Sequence, residues 1–254
     1  MNSRFERMIV AFRSAGSKRI LFEIKIRIQR RVRRRKWNKI LDISNPKDKF
    51  TKIYTNKMWK GSESASGFGS GKLYTESLRE SLPNLIKKFE IESVFDAGCG
   101  DFNWMKYVLQ VVDVDYTGAD IVDILIKKNN KRYANKKTKF LKLDAKSSVI
   151  PQVDLIICRD LLFHLSIAEV NMTLVNLIDS RSKYYLLTSH LDSGDYLNVD
   201  IKTGDFRRLD LLTEPFNLPA PSLCRIQDWI FPDPPRMMYL YSYKELYDWA
   251  QRRS

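Results

Sequence analysis

The sequence is poor in the residues that build metal centres and disulfide frameworks. Its 254 residues include three cysteines and two histidines, and no CxxC pair occurs. Cys99, Cys158 and Cys224 are far apart and odd in number, while His164 and His190 supply the only imidazoles. We therefore expect reduced thiols, no dedicated zinc site and no other bound metal.

Long apolar runs are also absent. No stretch approaches the roughly 18–20 consecutive apolar residues that a membrane-spanning helix needs. The N-terminus has basic residues but neither a continuous apolar core nor a small-residue cleavage site, so we expect no secretory signal. Hydrophobic residues make up 44% of the chain, which is enough for a full core. These features predict a cytoplasmic protein with one main domain and an extension.

Acidic residues are scarce at one end of the chain. Residues 1–50 hold 16 Lys and Arg against 4 Asp and Glu, whereas residues 51–254 hold 28 against 26. The net charge of +14 therefore comes almost wholly from the first segment, and the whole-chain charge is a poor guide to nucleic-acid binding. We predict a basic N-terminal extension over residues 1–50, helical or partly disordered, and a main domain over residues 51–254.

The basic extension contains two segments with helical spacing. Residues 5–12 place four apolar side chains on one helical face, and residues 20–36 interleave apolar with basic residues. A helix is favoured because Arg, Lys and Gln tolerate it well, although the alternation over residues 22–28 leaves a strand open. Three roles fit this composition: a solvated arm, a peripheral contact of residues 1–36 with an anionic membrane, and a less favoured contact with nucleic acid.

Helical and strand periodicities alternate along the main domain. An apolar stripe after residue 73 predicts a helix that Pro83 breaks or restarts. We predict strands near residues 91–96, 114–119, 140–143, 153–158, 184–188 and 237–243, and helices near residues 103–110, 121–133, 166–179 and 244–251. This alternation predicts an α/β fold with a parallel sheet and helices on both of its faces.

The most informative motif spans residues 94–104. The first predicted strand ends at Asp96, and Gly98 and Gly100 follow in a turn that no side chain crowds. Glycine permits positive φ and a close approach of the backbone to a ligand. A strand, a glycine turn and a helix in this order form nucleotide pockets at the carboxyl ends of parallel strands.

Acidic residues follow the ends of four predicted strands, at Asp96, Asp120, Asp144 and the pair Arg159–Asp160. Because the carboxyl ends of parallel strands share one edge of the sheet, we expect these groups to lie at the ligand site. A carboxylate has two acceptor oxygens, so Asp120 is able to accept both hydroxyls of a ribose. Taken singly, each aspartate also suits a helix cap or a turn.

The glycine turn lacks the features of a pyrophosphate site. A dinucleotide fold expects G-x-G-x-x-G, but Asn103 occupies the third glycine position, and no GxxxxGK[ST] loop occurs. We therefore expect a ligand with a ribose and a base but no pyrophosphate.

On these motifs the chain resembles class I S-adenosylmethionine-dependent methyltransferases over residues 73–190. The matching stretches are residues 94–104, 116–121, 140–145 and 154–165. The resemblance implies a Rossmann-like sheet of parallel strands with an antiparallel C-terminal strand. It also implies S-adenosylmethionine as the cofactor and S-adenosylhomocysteine as its product.

The same resemblance implies a cofactor site. Asp96 with the turn at Gly98 and Gly100 would hold the methionine part, Asp120 the ribose, and Asp144 with its neighbour the adenine. The full implied set is Trp59, Asp96, Gly98, Gly100, Asp101, Asp120, Ile121, Asp144 and Ala145.

A narrower resemblance links the chain to bacterial methyltransferases of surface-polysaccharide (capsule-type) biosynthesis. It covers about residues 54–243 and is carried by residues 59–70, 100–105, 158–165 and 215–221. It implies O- or N-methylation of a small-molecule or surface-glycan acceptor in the cytoplasm, with the inner membrane surface as a narrower location. It also makes residues 61–71 a functional loop, whereas their Ser and Gly content alone suits a flexible linker. The chain departs from the subfamily at Lys60, where glycine is usual.

Candidates for the acceptor chemistry follow the fourth predicted strand. Methyl transfer requires a positioned nucleophile and, for a hydroxyl, a group that accepts its proton. His164 is the best base by its ordinary pKa, Asp160 could orient a hydroxyl or amine, and Arg159 could bind a phosphate or carboxylate. His164 could instead only pack beside the cofactor, and Asp160 could only cap a turn.

Two further features of the chain leave its function open. Residues 192–235 are rich in Pro, Asp and turn residues and predict a lid or an acceptor-binding insertion. The alternatives to a small-molecule or glycan methyltransferase are an RNA methyltransferase that uses the Arg-rich extension, and a noncatalytic S-adenosylmethionine-binding module.

Overall fold

The computed structural model describes residues 25, 28, 30–59, 61–191 and 198–253. The chain divides into two compact units, residues 1–44 and residues 45–254. Within the first unit residues 30–41 form a helix, α1, with exposed basic side chains, which confirms the helix for the described part of residues 20–36. The helix predicted over residues 5–12 lies outside the described residues, as do Lys60 and residues 192–197. No helix in the described part is long and apolar enough to cross a membrane.

A seven-stranded sheet forms the centre of the second unit, in the order β3-β2-β1-β4-β5-β7-β6. The strands β1 to β5 are parallel to one another, and β7 is antiparallel to both β5 and β6. This arrangement confirms the predicted Rossmann-like fold class. The strands are β1 Ser93–Ala97, β2 Asp115–Asp120, β3 Thr138–Lys142, β4 Leu155–Cys158, β5 Tyr184–His190, β6 Cys224–Gln227 and β7 Arg236–Ser242.

Six helices of the second unit pack around this sheet. They are α2 Pro46–Thr55, α3 Glu76–Lys88, α4 Met105–Val108, α5 Asp123–Tyr133, α6 Ile167–Asp179 and α7 Tyr243–Gln251. Two short 3₁₀ turns, Phe68–Ser70 and Leu162–His164, lie in the loops at the carboxyl edge of the sheet. Local capping defines several helix starts: Ser166 caps α6, and Ser242 with Glu245 forms a capping box on α7.

The structure corrects three details of the predicted elements. The helix α3 runs through Pro83 without a break, because its face of Leu78, Leu82, Leu85 and Ile86 is buried and holds it in place. The helix predicted near residues 103–110 shortens to the four residues of α4. The irregular segment over residues 192–235 contains β6, a short strand with a single buried residue and therefore a weak apolar pattern.

The central strands are buried and bring the predicted site residues to one edge. All four residues of β4 are buried, as are the last four of β1, which is usual for parallel strands covered on both faces. Asp96 pairs in register with Gly118 of β2 and with Ile157 of β4. The residues that follow β1, β2 and β4 therefore emerge side by side.

Candidate active site

The turn after β1 has the backbone geometry that its glycines predict. Gly98 and Gly100 have φ values of +85° and +55°, in the left-handed region that favours glycine. The amides of Gly98 and Cys99 both donate to the carbonyl of Ala119, at 2.8 and 2.9 Å, which fixes the turn against the end of β2. On α5, the Asn129 side chain donates to the Gly100 carbonyl at 2.8 Å.

Asp96 is buried beneath this turn. Its Oδ2 accepts a hydrogen bond from the Tyr116 hydroxyl at 2.8 Å. Burial raises the pKa of Asp96 to about 7, against the opposing effects of the Tyr116 hydrogen bond and the Arg159 charge. The Asp96 carboxyl group therefore titrates near neutral pH.

Asp120 ends β2 and is partly exposed. Its Oδ1 accepts from the Val122 amide at 2.9 Å, and the amides of Gly100 and Ile121 also stabilise its charge. Burial outweighs these hydrogen bonds and raises the pKa of Asp120 to about 6. Among the described residues no cation forms an ion pair with it. The carboxylate is thus held in place, charged above pH 6, and suited to a neutral hydrogen-bond donor.

The residues predicted at the adenine end lie beyond β3, next to β2 in the sheet. Asp144 accepts from the Lys146 amide at 3.2 Å, and its own amide donates to Ser148. The carbonyl of Ala145 accepts from the Asn176 side chain at 2.9 Å. The structure therefore places the predicted cofactor residues at the carboxyl ends of three adjacent strands, β3, β2 and β1, or just beyond them.

Residues 61–71, the serine–glycine loop, are bonded to the glycine turn and do not form a free linker. The Ser64 hydroxyl donates to the Asp101 carboxylate at 2.9 Å, and the Ala65 amide donates to it at 2.8 Å. Ser66 accepts from the Asp101 amide at 3.0 Å, and a Cβ on Gly100 would collide with this serine. Asp101, predicted as a cofactor residue, thus uses its carboxylate to hold the loop.

Asn103 makes a second contact with the same loop. Its Nδ2 donates to the Ser70 carbonyl at 2.8 Å, and its Oδ1 accepts from Lys106 at 2.9 Å. The residue that replaces the third glycine of a dinucleotide motif is therefore a loop anchor.

Arg159 has a different partner from the substrate anion that we predicted. Its Nε and Nη2 bind the two carboxylate oxygens of Asp228 at 3.0 and 2.8 Å, and Nη2 also donates to the Gly69 carbonyl at 2.7 Å. The bidentate pair with Asp228 and the bond to Gly69 use most of the donors of this buried guanidinium. Arg159 is only 4% exposed, so little of its surface is open to a ligand.

Asp160 lies between two arginines. Its carboxylate is 3.2 Å from Nη1 of Arg159 and 3.1 Å from Nη1 of Arg236. Burial alone would raise the pKa of Asp160, but the charges of Arg159 and Arg236 outweigh it and lower this pKa. Asp160 is therefore ionised at neutral pH.

His164 packs against Trp59. The two rings are stacked, with centroids 4.3 Å apart and planes 24° apart. The Nδ1 atom of His164 lies 2.7 Å from the carbonyl of Asp205. Since a carbonyl only accepts, Nδ1 carries the proton and Nε2 keeps its lone pair.

Both histidines are neutral at physiological pH. Burial lowers the pKa of His164 and of His190 to about 4 in each case. His190 ends β5, and its Nδ1 accepts from the Leu209 amide at 3.1 Å, which is the opposite tautomer from His164. Phe206 lies beside both rings, at centroid distances of 6.1 Å from each.

Sequence reasoning missed Asp228, Arg236 and Tyr74. Arg236 begins β7 in register with His190, and its guanidinium lies over the Tyr74 ring at 4.9 Å. Its only signal in the sequence is that it is a single charge at the start of an otherwise apolar strand. Asp228 follows β6, whose apolar pattern is weak, so no sequence pattern indicated that Asp228 belongs to this cluster.

Comparison with known proteins agrees with the fold and finds one matching domain family. Residues 95–177 match the family described as Methyltransferase domain. The Synechocystis magnesium protoporphyrin IX methyltransferase with bound S-adenosylhomocysteine aligns at 14% identity and a TM-score of 0.55, covering 77% of this chain and 99% of that chain. The Burkholderia thailandensis 1,6-didemethyltoxoflavin N1-methyltransferase aligns at 13% identity and a TM-score of 0.54, covering 77% and 86%. No curated protein matches the chain significantly.

The matched stretch, residues 95–177, contains the glycine turn together with Asp120 and Asp144. The chain therefore contains a segment similar to methyltransferase domains, and it has the fold of the solved methyltransferases above. The residues of this edge fit S-adenosylmethionine, because the two positive-φ glycines border a partly exposed carboxylate that has no cation partner among the described residues. In the described part of the chain, no cluster of His, Cys, Asp and Glu could hold a metal ion.

Proposed function

We propose that the protein methylates an oxygen or nitrogen of a small-molecule acceptor, and more narrowly of a surface glycan. One observation carries this proposal: the serine–glycine loop joins the two halves of the site. The loop is bonded to Asp101 at the glycine turn and, through Gly69, to Arg159 beside Asp160. Trp59, just before the loop, stacks on His164.

The cofactor half of the proposed site has one role for each strand end. Asp96 with Gly98 and Gly100 would hold the methionine part, and Asp120 with Ile121 would hold the ribose. Asp144 and Ala145 would border the adenine. Asp101 would act by holding the serine–glycine loop over the turn, and Trp59 would close the site toward the acceptor. When bound, S-adenosylmethionine supplies an electrophilic methyl group.

His164 is the proposed base of the acceptor half. The carbonyl of Asp205 holds the Nδ1 proton, so the lone pair of Nε2 is available. A pKa near 4 makes His164 a weak base, but it keeps the ring unprotonated throughout the neutral range. A weak base is sufficient here, because an alcohol oxygen that gains a methyl group becomes far more acidic than an imidazolium.

Structural relatives, sequence motifs and the charge of the main domain support the proposed acceptor class. The two structural relatives above are named for a porphyrin and a toxoflavin precursor, which are small molecules. The motifs over residues 54–243 resemble those of surface-polysaccharide methyltransferases. The RNA alternative is weaker because residues 51–254 are nearly neutral, with 28 Lys and Arg against 26 Asp and Glu.

Replacement of His164 with alanine is expected to lower kcat by about 10²- to 10⁴-fold while leaving the Kd for S-adenosylmethionine nearly unchanged. The measurement is release of S-adenosylhomocysteine with a panel of hydroxyl- and amine-bearing sugars. Because the pKa of His164 is lowered to about 4, the wild-type kcat, measured with S-adenosylmethionine saturating at each pH, should stay level from pH 8 down to about pH 5 and fall below it. Unchanged turnover in the variant, with every acceptor that the wild type uses, would exclude His164 as the base.

We further propose that the basic extension contacts an anionic membrane and places the enzyme at the cytoplasmic face. Six of the seven residues from 30 to 36 are Arg or Lys, and all seven are exposed. Each basic residue near an anionic surface contributes about 1 kcal/mol.

This membrane contact predicts a charge-dependent vesicle association. Changing the six basic residues of 30–36 to glutamine in the full chain should abolish most co-flotation with phosphatidylglycerol vesicles. Phosphatidylcholine vesicles are the matched control, since they should recover little of either protein. Equal recovery of both proteins with the anionic vesicles would exclude this role.

A further inference from the structure

Four charged side chains form a cluster where β4 ends and the antiparallel β7 begins. This four-charge cluster consists of Arg159, Asp160, Asp228 and Arg236, two cations and two anions. Their side chains differ in access to solvent: Asp160 is 21% exposed, whereas Arg159, Arg236 and Asp228 are 3%, 7% and 0% exposed. A ligand that approaches this cluster therefore meets a carboxylate.

Protein groups already satisfy both arginines of the cluster. Arg159 makes its bidentate pair with Asp228 and a further hydrogen bond to the Gly69 carbonyl. The Nε of Arg236 donates to the Asp228 carbonyl at 2.6 Å, and its guanidinium lies 4.9 Å from the Tyr74 ring centre. Neither guanidinium is left to pair with a substrate anion.

Asp160 is the most exposed member of the cluster, and both arginines hold its carboxylate. Its Oδ2 accepts from Nη2 of Arg236 at 3.2 Å, and its Oδ1 lies 3.1 Å from Nη1 of Arg236. The residue also has a φ of +57°, a strained conformation outside glycine, which its amide stabilises by donating to Thr188 at 3.2 Å. Such strain is concentrated at functional sites, and a carboxylate has about four acceptor positions, so its exposed part has room for one more donor.

We propose that the four-charge cluster selects an acceptor that presents a hydrogen-bond donor, an amine or a neutral polyol, and disfavours one that presents a phosphate or carboxylate beside Asp160. Arg236 and Asp228 are the positioning residues that fix the Asp160 carboxylate. This inference rests on the proposed function, because it assigns the substrate class of that same site. In this proposal Arg159 holds the carboxylates of the cluster in place and is not itself the group that binds the acceptor.

The charge balance of the cluster makes a distinctive prediction. Asp160→Asn removes one negative charge and leaves two arginines against a single aspartate. Asparagine, like aspartate, adopts positive φ more readily than most residues other than glycine, so the variant should keep the local backbone. The partly exposed position should then attract an anion in place of a cation.

The test uses the full chain, saturated with S-adenosylhomocysteine at constant ionic strength. Titration calorimetry with methylammonium and with inorganic phosphate, the two probes, should show methylammonium binding to the wild type and no phosphate binding. Asp160→Asn should lose the methylammonium site and bind phosphate at least tenfold more tightly than the wild type. Phosphate binding by the wild type, absence of methylammonium binding to it, or an unchanged preference in the variant would each overturn the proposal.

A second variant covers the case in which Asp160→Asn does not fold. Arg236→Met removes a positive charge but keeps a long apolar side chain against Tyr74, so methylammonium should bind more tightly and phosphate not at all. Phosphate binding by Arg236→Met would contradict the proposal. Binding of S-adenosylhomocysteine is measured first, in a separate titration. A folded chain that does not bind it refutes the proposed function, and the probe titrations are then made without it, so that their preference still decides the charge selection.

Discussion

Asp120→Ala should weaken binding of S-adenosylmethionine about 100-fold or more. The carboxylate is the proposed acceptor for both ribose hydroxyls, and hydrogen bonds to a charged group are worth about 1.5–3 kcal/mol each. A 100-fold loss corresponds to about 2.7 kcal/mol, so losing two such bonds readily accounts for it. Titration calorimetry of the variant and the wild type at pH 7.5 measures the difference.

The matched control for this variant is Asp123→Ala. Asp123 lies at the start of α5, three residues further on, and its carboxylate pairs with Lys127 at 2.8 Å on the surface. Its removal should change the Kd less than about twofold, because exposed ion pairs contribute little. An Asp120→Ala protein that binds as tightly as the Asp123 control would show that the ribose is held elsewhere.

The pH dependence of cofactor binding provides a second check on Asp120. Burial raises the pKa of Asp120 to about 6, so its carboxylate is mostly charged above pH 7 and mostly protonated at pH 5. A protonated carboxyl loses acceptor capacity, and the affinity for S-adenosylmethionine should therefore fall as the pH decreases through 6. The Asp120→Ala protein should lack this fall, which separates the effect from other titrating groups.

Asp228→Ala should lower the free energy of unfolding by about 3–5 kcal/mol, the cost of leaving buried charge without its partner. Asp228 is 1% exposed and pairs with Arg159 through two hydrogen bonds, while its Oδ2 lies 3.3 Å from Arg236. The variant leaves two buried guanidinium groups against Asp160 alone. Denaturant unfolding followed by circular dichroism measures the change.

The control for Asp228 is an exposed ion pair with a similar contact distance. Asp248 accepts from Lys244 at 2.5 Å on the surface of α7, one turn along the helix. Asp248→Ala should change the free energy of unfolding by about 0.5 kcal/mol or less. If both aspartate variants destabilised the protein equally, the buried cluster would have no special role in stability.

The cofactor half of the site was largely predictable from the sequence, because it consists of local patterns. A buried strand, a glycine turn and an aspartate at the next strand end each occupy a few consecutive residues. The order of such strands in a parallel sheet then brings Asp96 and Asp120 to one edge without further information. The positive φ values of Gly98 and Gly100 follow from the same local pattern.

The acceptor half was not predictable in the same way, since its contacts join distant segments. Arg159 meets Asp228 across 69 positions of sequence, and Arg236 meets Asp160 across 76. The composition of the serine–glycine loop also suited a linker, and only its hydrogen bonds to Asp101 show that it is fixed to the glycine turn. Sequence patterns identified Asp160 but not the arginine and aspartate that position it.

Binding of S-adenosylmethionine at the edge formed by β3, β2 and β1 underlies every role proposed above. Titration calorimetry of the purified wild-type chain with S-adenosylmethionine and S-adenosylhomocysteine tests it most directly. We predict one site per chain for each compound, with a Kd in the micromolar range. A folded chain that gives no binding heat with either compound, at several temperatures, would contradict the account.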